Sequence, residues 1–277
     1  MVGYIEEWWL RILIGLAGSA IIAGLAWKLR SLSGSGAVSA IIMGTGFIAL
    51  GGPQWFAGLI AFFVSSTLWS KWKKRHRAKQ SAEANYAKGG RRDAAQVWAN
   101  GGLGLLLCAG HAIWPDEGWL FAFAGVMGAV NADTWATEIG ALSRSAPRSI
   151  LTGAVVTPGT SGGVSLLGSA AAAAGASFIG IILVVTGYAG VEQATPWALF
   201  AAAAFGGTVG AFADSLIGAT VQAMYRCGEC GARTERAVHC GKPAKLVQGW
   251  SFMTNDMVNL LSSAAAGLLA YGLSILI

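Results

Sequence analysis

Charge is scarce in this chain: 12% of its 277 residues are Asp, Glu, Lys or Arg, thirteen of them acidic, against 55% apolar. So few ionisable groups, set among long and frequent apolar runs, exclude an ordinary water-soluble domain and imply a protein that crosses a membrane several times. Cysteine is scarce too. Cys108 lies in an apolar run while Cys227, Cys230 and Cys240 share one loop, which gives no disulfide framework. No cleavable leader is expected, because Glu6 and Glu7 stand where its positive region would lie. The apolar run 8–27 ends in charge rather than at a small-residue cleavage site, so it is expected to remain as the first span.

Apolar runs lie at 8–27, 36–50, 54–70, 94–110, 118–140, 162–189, 196–222 and 251–276. At ~20 residues per crossing they predict an all-α, polytopic transmembrane bundle of about eight spans, some short or broken. The chain reads as one integral-membrane domain, 1–277. Net charge is +6, and nine of the nineteen basic residues lie in 71–92. That clustering reads as a topology signal rather than a nucleic-acid site, and no nucleic-acid partner is expected. Positive loops alternate with acidic or neutral ones: Lys28/Arg30, the basic 71–92 loop, Arg144/Arg148 and the 223–250 loop against Glu6/Glu7, Asp116/Glu117 and Glu192. The positive side should be cytoplasmic, with both termini outside, in the plasma membrane if the chain is prokaryotic. The abundant glycine, 40 residues, suits close helix packing.

Against this background the polar residues are informative. The run 71–79 reads as a solvated or headgroup-binding basic stretch. Gly89-Gly90-Arg91-Arg92-Asp93 abuts a helix carrying Gln96 and Asn100 four apart. Arg91 and Arg92 there fit either an anion site or topology arginines, and the two amides fit either a ligand or interhelical hydrogen bonds. In NADTWATEIG, Asn131, Thr134 and Glu138 share one helical face and Asp133 lies on the next. Asp133 and Glu138 sit about 140° apart on an ideal helix, so they meet one ion only if the helix is broken or another element contributes. The stretch Arg144–Arg148 leads to Thr157-Pro158-Gly159-Thr160-Ser161-Gly162-Gly163, expected to open the next helix and to offer backbone N–H groups to phosphate. Gly210-Ala211-Phe212-Ala213-Asp214-Ser215 partly echoes 128–134, and Asn255-Asp256 opens the last span. Carboxylates at Asp133, Glu138, Asp214 and Asp256 call for a cation, and Mg²⁺ is the natural one beside phosphate. Cys227, Cys230, His239 and Cys240, spaced C-x₂-C-x₈-H-C, suit a closed, structural Zn²⁺ site.

The motifs NADTWATEIG, TPGTSGGVS, GAFADS, VHCG and NDMVN, with GRRDAAQVWANGG upstream, together resemble the integral-membrane family of transmembrane protein 19 and the phytyl-phosphate kinase of plants and cyanobacteria, over nearly the whole chain. Asp133-x₃-Thr137-x₂-Gly140 followed by Pro158-Gly159-Thr160 is more distantly similar to the CTP-dependent dolichol and phytol kinases and the CDP-lipid synthases. Those enzymes usually carry Lys and Glu near the glycine element, where this chain has Ser161 and Gly162. The resemblance implies a kinase converting an isoprenyl monophosphate to the diphosphate, with CTP, or else ATP, as donor. By the same resemblance, Asn131, Asp133, Thr134 and Glu138 form the acidic motif and Gly159, Thr160, Ser161 and Gly162 the glycine motif. Asp214, Ser215, Asn255 and Asp256 match the later acidic elements. On this reading Asp133, Glu138 and Asp214 or Asp256 hold Mg²⁺, the glycine loop takes donor phosphates, and Arg91, Arg92 or Arg144 takes the acceptor phosphate. A transporter or scramblase of anionic isoprenoid lipids and a CDP-lipid synthase are the competing expectations.

Overall fold

Each apolar run becomes one long helix, and the ends fall where capping chemistry stops it. In the computed structural model, which describes residues 2–72, 79–80, 86–187 and 196–276, the helices are α1 (Val2–Lys28), α2 (Gly34–Leu50), α3 (Pro53–Lys71), α4 (Ala94–Ile113), α5 (Glu117–Gly140), α6 (Leu166–Gly187), α7 (Pro196–Thr220) and α8 (Asn255–Leu276). Lys73, Lys74, Arg75 and Arg77 of the basic run, Glu192 and the side chain of Glu6 lie outside the described residues. Ser33 caps α2 by accepting from the Gly36 amide at 3.1 Å. Asp93 and Gln96 form a reciprocal capping box on α4, at 2.9 and 3.2 Å. Pro53 starts α3, where its missing N–H costs nothing.

Four helices, at Glu7–Lys28, Leu166–Gly187, Pro196–Thr220 and Asn255–Leu276, are long and apolar enough to cross a membrane by length and composition. The others are shorter, as α2 is, or diluted by polar residues such as Ser65, Ser66 and Ser70 in α3 and Gln96, Asn100 and His111 in α4. Apolar side chains such as Ile21, Leu106 and Leu268, 64%, 68% and 74% exposed, point outward as lipid-facing surfaces do.

At the centre stands α5, buried at every residue of 121–132, with α6, α7 and α8 packed around it. A helix apolar all round belongs inside a bundle. It meets α7 glycine to glycine: a Cβ on Gly128 would lie 2.7 Å from the Ala203 carbonyl oxygen and 3.2 Å from the Gly207 Cα. α7 is itself interrupted. A five-residue π-helical stretch, Ala202–Gly206, joins Pro196–Ala201 to Gly207–Thr220.

The segments after α1, α3, α5 and α7 meet at one end of the bundle, as hydrogen bonds between them show. Ser33 N donates to Arg92 O, the Ala87 amide to Glu235, and Ser161 Oγ to Gln222 Oε1. Two of these segments carry short strands. β1 (Arg148–Ser149) pairs with β2 (Gly163–Val164). Between α7 and α8, β3 (Met224–Arg226) lies between β4 (Arg233–Thr234) and β7 (Lys245–Gln248), while β5 (Val238–His239) pairs with β6 (Lys242–Pro243).

Gly128→Val should therefore destabilise the bundle by about 1–3 kcal/mol through overpacking. It would show as a lowered unfolding temperature in detergent, whereas Gly272→Ala, with open space around it, should leave that temperature unchanged.

Candidate active site

The joined loops and helix ends enclose a cavity of about 690 Å³. It is lined by Asp133, Thr134, Glu138, Arg144, Gly159, Thr160, Ser161, Gly162, Asp214, Ser215, Asn255 and Asp256, together with Arg92, Gln96 and Asn100. Most of the residues expected to bind phosphate or its cation thus meet in one space; Asn131 and Arg91 do not. Asn131 is fully buried above the cavity, where its Oδ1 accepts from Ser65 Oγ at 2.9 Å and its Nδ2 donates to Gly175 O at 2.7 Å. It is an interhelical clamp between α3, α5 and α6. Arg91 turns away to donate from Nε to Leu32 O at 3.1 Å. Gln96 has a structural task as well, since its side chain closes the capping box, and Asn100 receives a hydrogen bond from Asn259 Nδ2 at 3.3 Å.

The acidic groups separate into two sets. α5 runs unbroken to Gly140, so Asp133 and Glu138 stay on different sides of it. Glu138 accepts from Ser70 Oγ at 2.6 Å and pairs with Lys79 Nζ at 2.7 Å. Lys79 is 2% exposed and also donates to Trp69 O and Trp72 O at 2.6 and 3.0 Å, which overturns its reading as a solvated cation. With its charge already matched, Glu138 is a wall of the cavity rather than a partner of Asp133 in holding a cation. Asp133 instead interacts electrostatically with Asp214 and Glu235, and Asp214 accepts from Ser262 Oγ at 3.0 Å. Asp256 pairs with Lys88 Nζ at 2.6 Å, and Lys88 also meets Asp93 at 3.0 Å. Burial pulls the Lys88 ammonium down, but its hydrogen bonds to Asp256 and Asp93 outweigh this and hold it above the ordinary lysine value.

The glycine motif is two consecutive tight turns. Thr160 N donates to Thr157 O at 3.1 Å and Gly163 N to Thr160 O at 3.0 Å, with Gly159 (φ +80°) and Gly162 (φ +77°) at the third positions that a type II turn requires. The turns precede α6 and do not open it. Ser165 Oγ takes the Gly168 amide at 3.1 Å, so the N-terminus of α6 is capped by its own chain. Among the described residues, the amides of Gly159, Ser161 and Gly162 donate to no protein group, leaving them available at the cavity wall.

The Cys/His loop closes the other wall. Cys227, Cys230, His239 and Cys240 place their ligating atoms within 4.8 Å of one another, and His239 Nδ1 lies 3.4 and 3.3 Å from the Cys230 and Cys240 sulfurs. A tetrahedral zinc with ordinary bond lengths sets N and S about 3.5 Å apart, so the four residues fit Zn²⁺. Cys240 has φ +51°, and this left-handed turn lets neighbouring residues both face the centre. Hydrogen bonds from the Cys230 backbone and from His239 draw the Cys227 thiol down to about 6, favouring the thiolate that a metal needs. Among the described residues this is the one place where three or more such ligands lie so close, so the cavity carboxylates form no closed metal cage.

From the same loop Glu235 enters the cavity. Its carboxylate accepts from the Ala87 amide at 3.0 Å and from Gln222 Nε2 at 2.9 Å, and Gln222 Oε1 in turn accepts from Ser161 Oγ at 2.7 Å. Burial pushes its acid up, with the Ala87 and Gln222 hydrogen bonds opposing. Sequence reasoning missed Glu235, Gln222, Lys79 and Lys88. Lys88 adjoins the glycine pair 89–90 and was findable there, whereas Glu235 and Lys79 sit in polar stretches where a charge is unremarkable.

The sequence family described as integral membrane protein DUF92 matches residues 17–267. The chain is 29% identical over 272 residues to Protein PGR of Arabidopsis thaliana, covering 91% of this chain and 92% of that protein. It is also 29% identical over 211 residues to an uncharacterized membrane protein of Methanocaldococcus jannaschii, covering 76% and 83% of the two. No solved structure matches the chain.

Two outcomes follow from the geometry. Glu138→Ala, leaving Lys79 buried without its partner, should cost about 3–5 kcal/mol of stability. Glu138→Leu combined with Lys79→Met should recover most of that in detergent unfolding. The purified protein should carry one zinc by elemental mass spectrometry, and Cys230→Ser should lower that content and open the 223–250 loop to limited proteolysis.

Proposed function

The chain belongs to the DUF92 family of integral membrane proteins, and from that premise we propose that it transfers the γ-phosphoryl group of a nucleoside triphosphate, CTP or ATP, to a membrane-held isoprenyl monophosphate. The observation that carries the reading is the shared cavity, in which unpaired backbone amides, carboxylates and cations face one another. Its volume lies within the ~300–1,000 Å³ of small-molecule sites. Its placement at one end of the bundle supports chemistry over transport, which needs a site near the midplane open to both sides. The positive loops at that end support a cytoplasmic placement, the side where a nucleotide would be available.

The acceptor phosphate, with a second pKa of ~6, is already anionic at neutral pH, so no general base is needed. One of its oxygens bonds to the γ-phosphorus as the bond to the β–γ bridging oxygen breaks, and the nucleoside diphosphate leaves. The amides of Gly159, Ser161 and Gly162 hold donor phosphate oxygens, and Arg92 and Arg144 offset the charge of donor and acceptor. Asp133 and Asp214 are the carboxylates that would hold Mg²⁺, which would supply positive charge to offset that of the phosphates. Glu235 holds the loop of Ala87 against Gln222 and, through it, Ser161.

Purified protein given labelled CTP or ATP with farnesyl, geranylgeranyl or phytyl phosphate should release the nucleoside diphosphate and form the lipid diphosphate, with a requirement for Mg²⁺. Asp133→Asn should lower kcat by about 10²–10³-fold, the scale of losing one electrostatic contact to a transferring group. Full activity in that variant, or no nucleotide turnover with any acceptor, would overturn the reading. Release of pyrophosphate would instead assign CMP transfer.

A further inference from the structure

A second space touches the first. Between α1, α2, α3 and α4 runs a narrow slot of about 60 Å³, walled by Ile22, Ala23, Ala40, Met43, Leu59 and Ile60 among others. Arg92, Gln96 and Asn100 line both this slot and the polar cavity, so the two meet at that step of α4. The lining of the slot on α4 ends at Gly101, seven residues past the helix start at Ala94, or about 10 Å at 1.5 Å per residue. That is about a third of the ~30 Å hydrocarbon core, within one leaflet.

Arg92 marks the junction as a place for an anion. Its side chain is 9% exposed, donates to Ser66 Oγ and Thr67 Oγ1 at 3.1 and 3.2 Å, and lies about 6 Å over the rings of Phe62 and Phe63. Among the described residues no carboxylate lies within ion-pair distance of it, and Glu138, whose charge it feels, already belongs to Lys79. A guanidinium held out of water with only hydroxyls and ring faces around it is costly until an anion arrives.

We propose that this slot receives the hydrocarbon chain of a single-tailed anionic lipid, an isoprenyl monophosphate, with its phosphate at Arg92 and its head in the polar cavity. This rests on the phosphotransfer reading for the lipid's identity but not for the position of its tail. Sixty cubic ångströms, as the slot stands, has room for the inner part of one chain and not for two side by side, the remainder lying in lipid.

The test uses full-length protein in nanodiscs. A farnesyl monophosphate analogue with a diazirine in the tail should cross-link to α1, α2, α3 or α4 within 19–23, 40–63 or 94–101, and excess geranylgeranyl phosphate should suppress the label while dioleoyl phosphatidate does not. Ala40→Phe and, separately, Ile60→Trp should fill the slot. In either variant KM for geranylgeranyl phosphate should rise at least tenfold while turnover of dimethylallyl phosphate, too short to reach the fill, is unchanged. Unfolding temperature and zinc content report that each variant is folded. Labels mapping to other helices, competition by phosphatidate, or equal KM changes for short and long acceptors in both variants would overturn the proposal. Suppressible labelling of these helices in a protein that turns over no nucleotide would uphold the slot and sink the kinase reading.

Discussion

A charge taken out of water must be matched, and the arrangement of this bundle follows from how each charge at its loop end is matched. Lys79 and Glu138 settle each other, and in doing so fasten the segment after α3 to the end of α5. Lys88 is settled twice, by Asp93 and Asp256, which draws the entry to α4 against the start of α8. What remains unmatched is concentrated: Arg92 on one side, and the neighbouring carboxylates Asp133, Asp214 and Glu235 on the other. A site that holds one region of spare positive charge and one of spare negative charge suits a phosphate together with its cation, since each neutralises one region.

The Cys/His loop extends the same logic to a segment with no core of its own. Its strands are two to four residues long, too short to stand alone, and four ligating side chains converge where an apolar core would otherwise be required. Its contribution to the cavity is Glu235, through which the loop, the segment before α4 and the glycine turns are joined in a single hydrogen-bonded line from Ala87 to Ser161.

Much of this was legible in the sequence because the signals are local. Apolar runs located the helices, the 128–134 and 210–215 echo brought together two aspartates that do interact, and cysteine spacing located a cluster that fits zinc. The failures are those of distance. Glu138 looked like a cation ligand because nothing nearby in sequence foretold Lys79, fifty-nine residues away. Asn131 looked like a site residue because an amide in an apolar helix has two explanations, and only the approach of Ser65 and Gly175 selects between them. The glycine motif was read onto a helix start, yet Pro158 and the two left-handed glycines specify turns, and Ser165 supplies the cap.

The π-helical stretch Ala202–Gly206 fixes a rotational phase. A π turn acts as one residue slipped into an α-helix, and one residue is 100° of rotation. Asp214, about two turns further on, owes its azimuth to that slip; the same sequence wound as uninterrupted α-helix would swing the carboxylate more than a quarter turn out of the cavity. The bearing of an acidic group at the heart of the site is thus written in three alanines, a phenylalanine and a glycine, none of which lines the cavity.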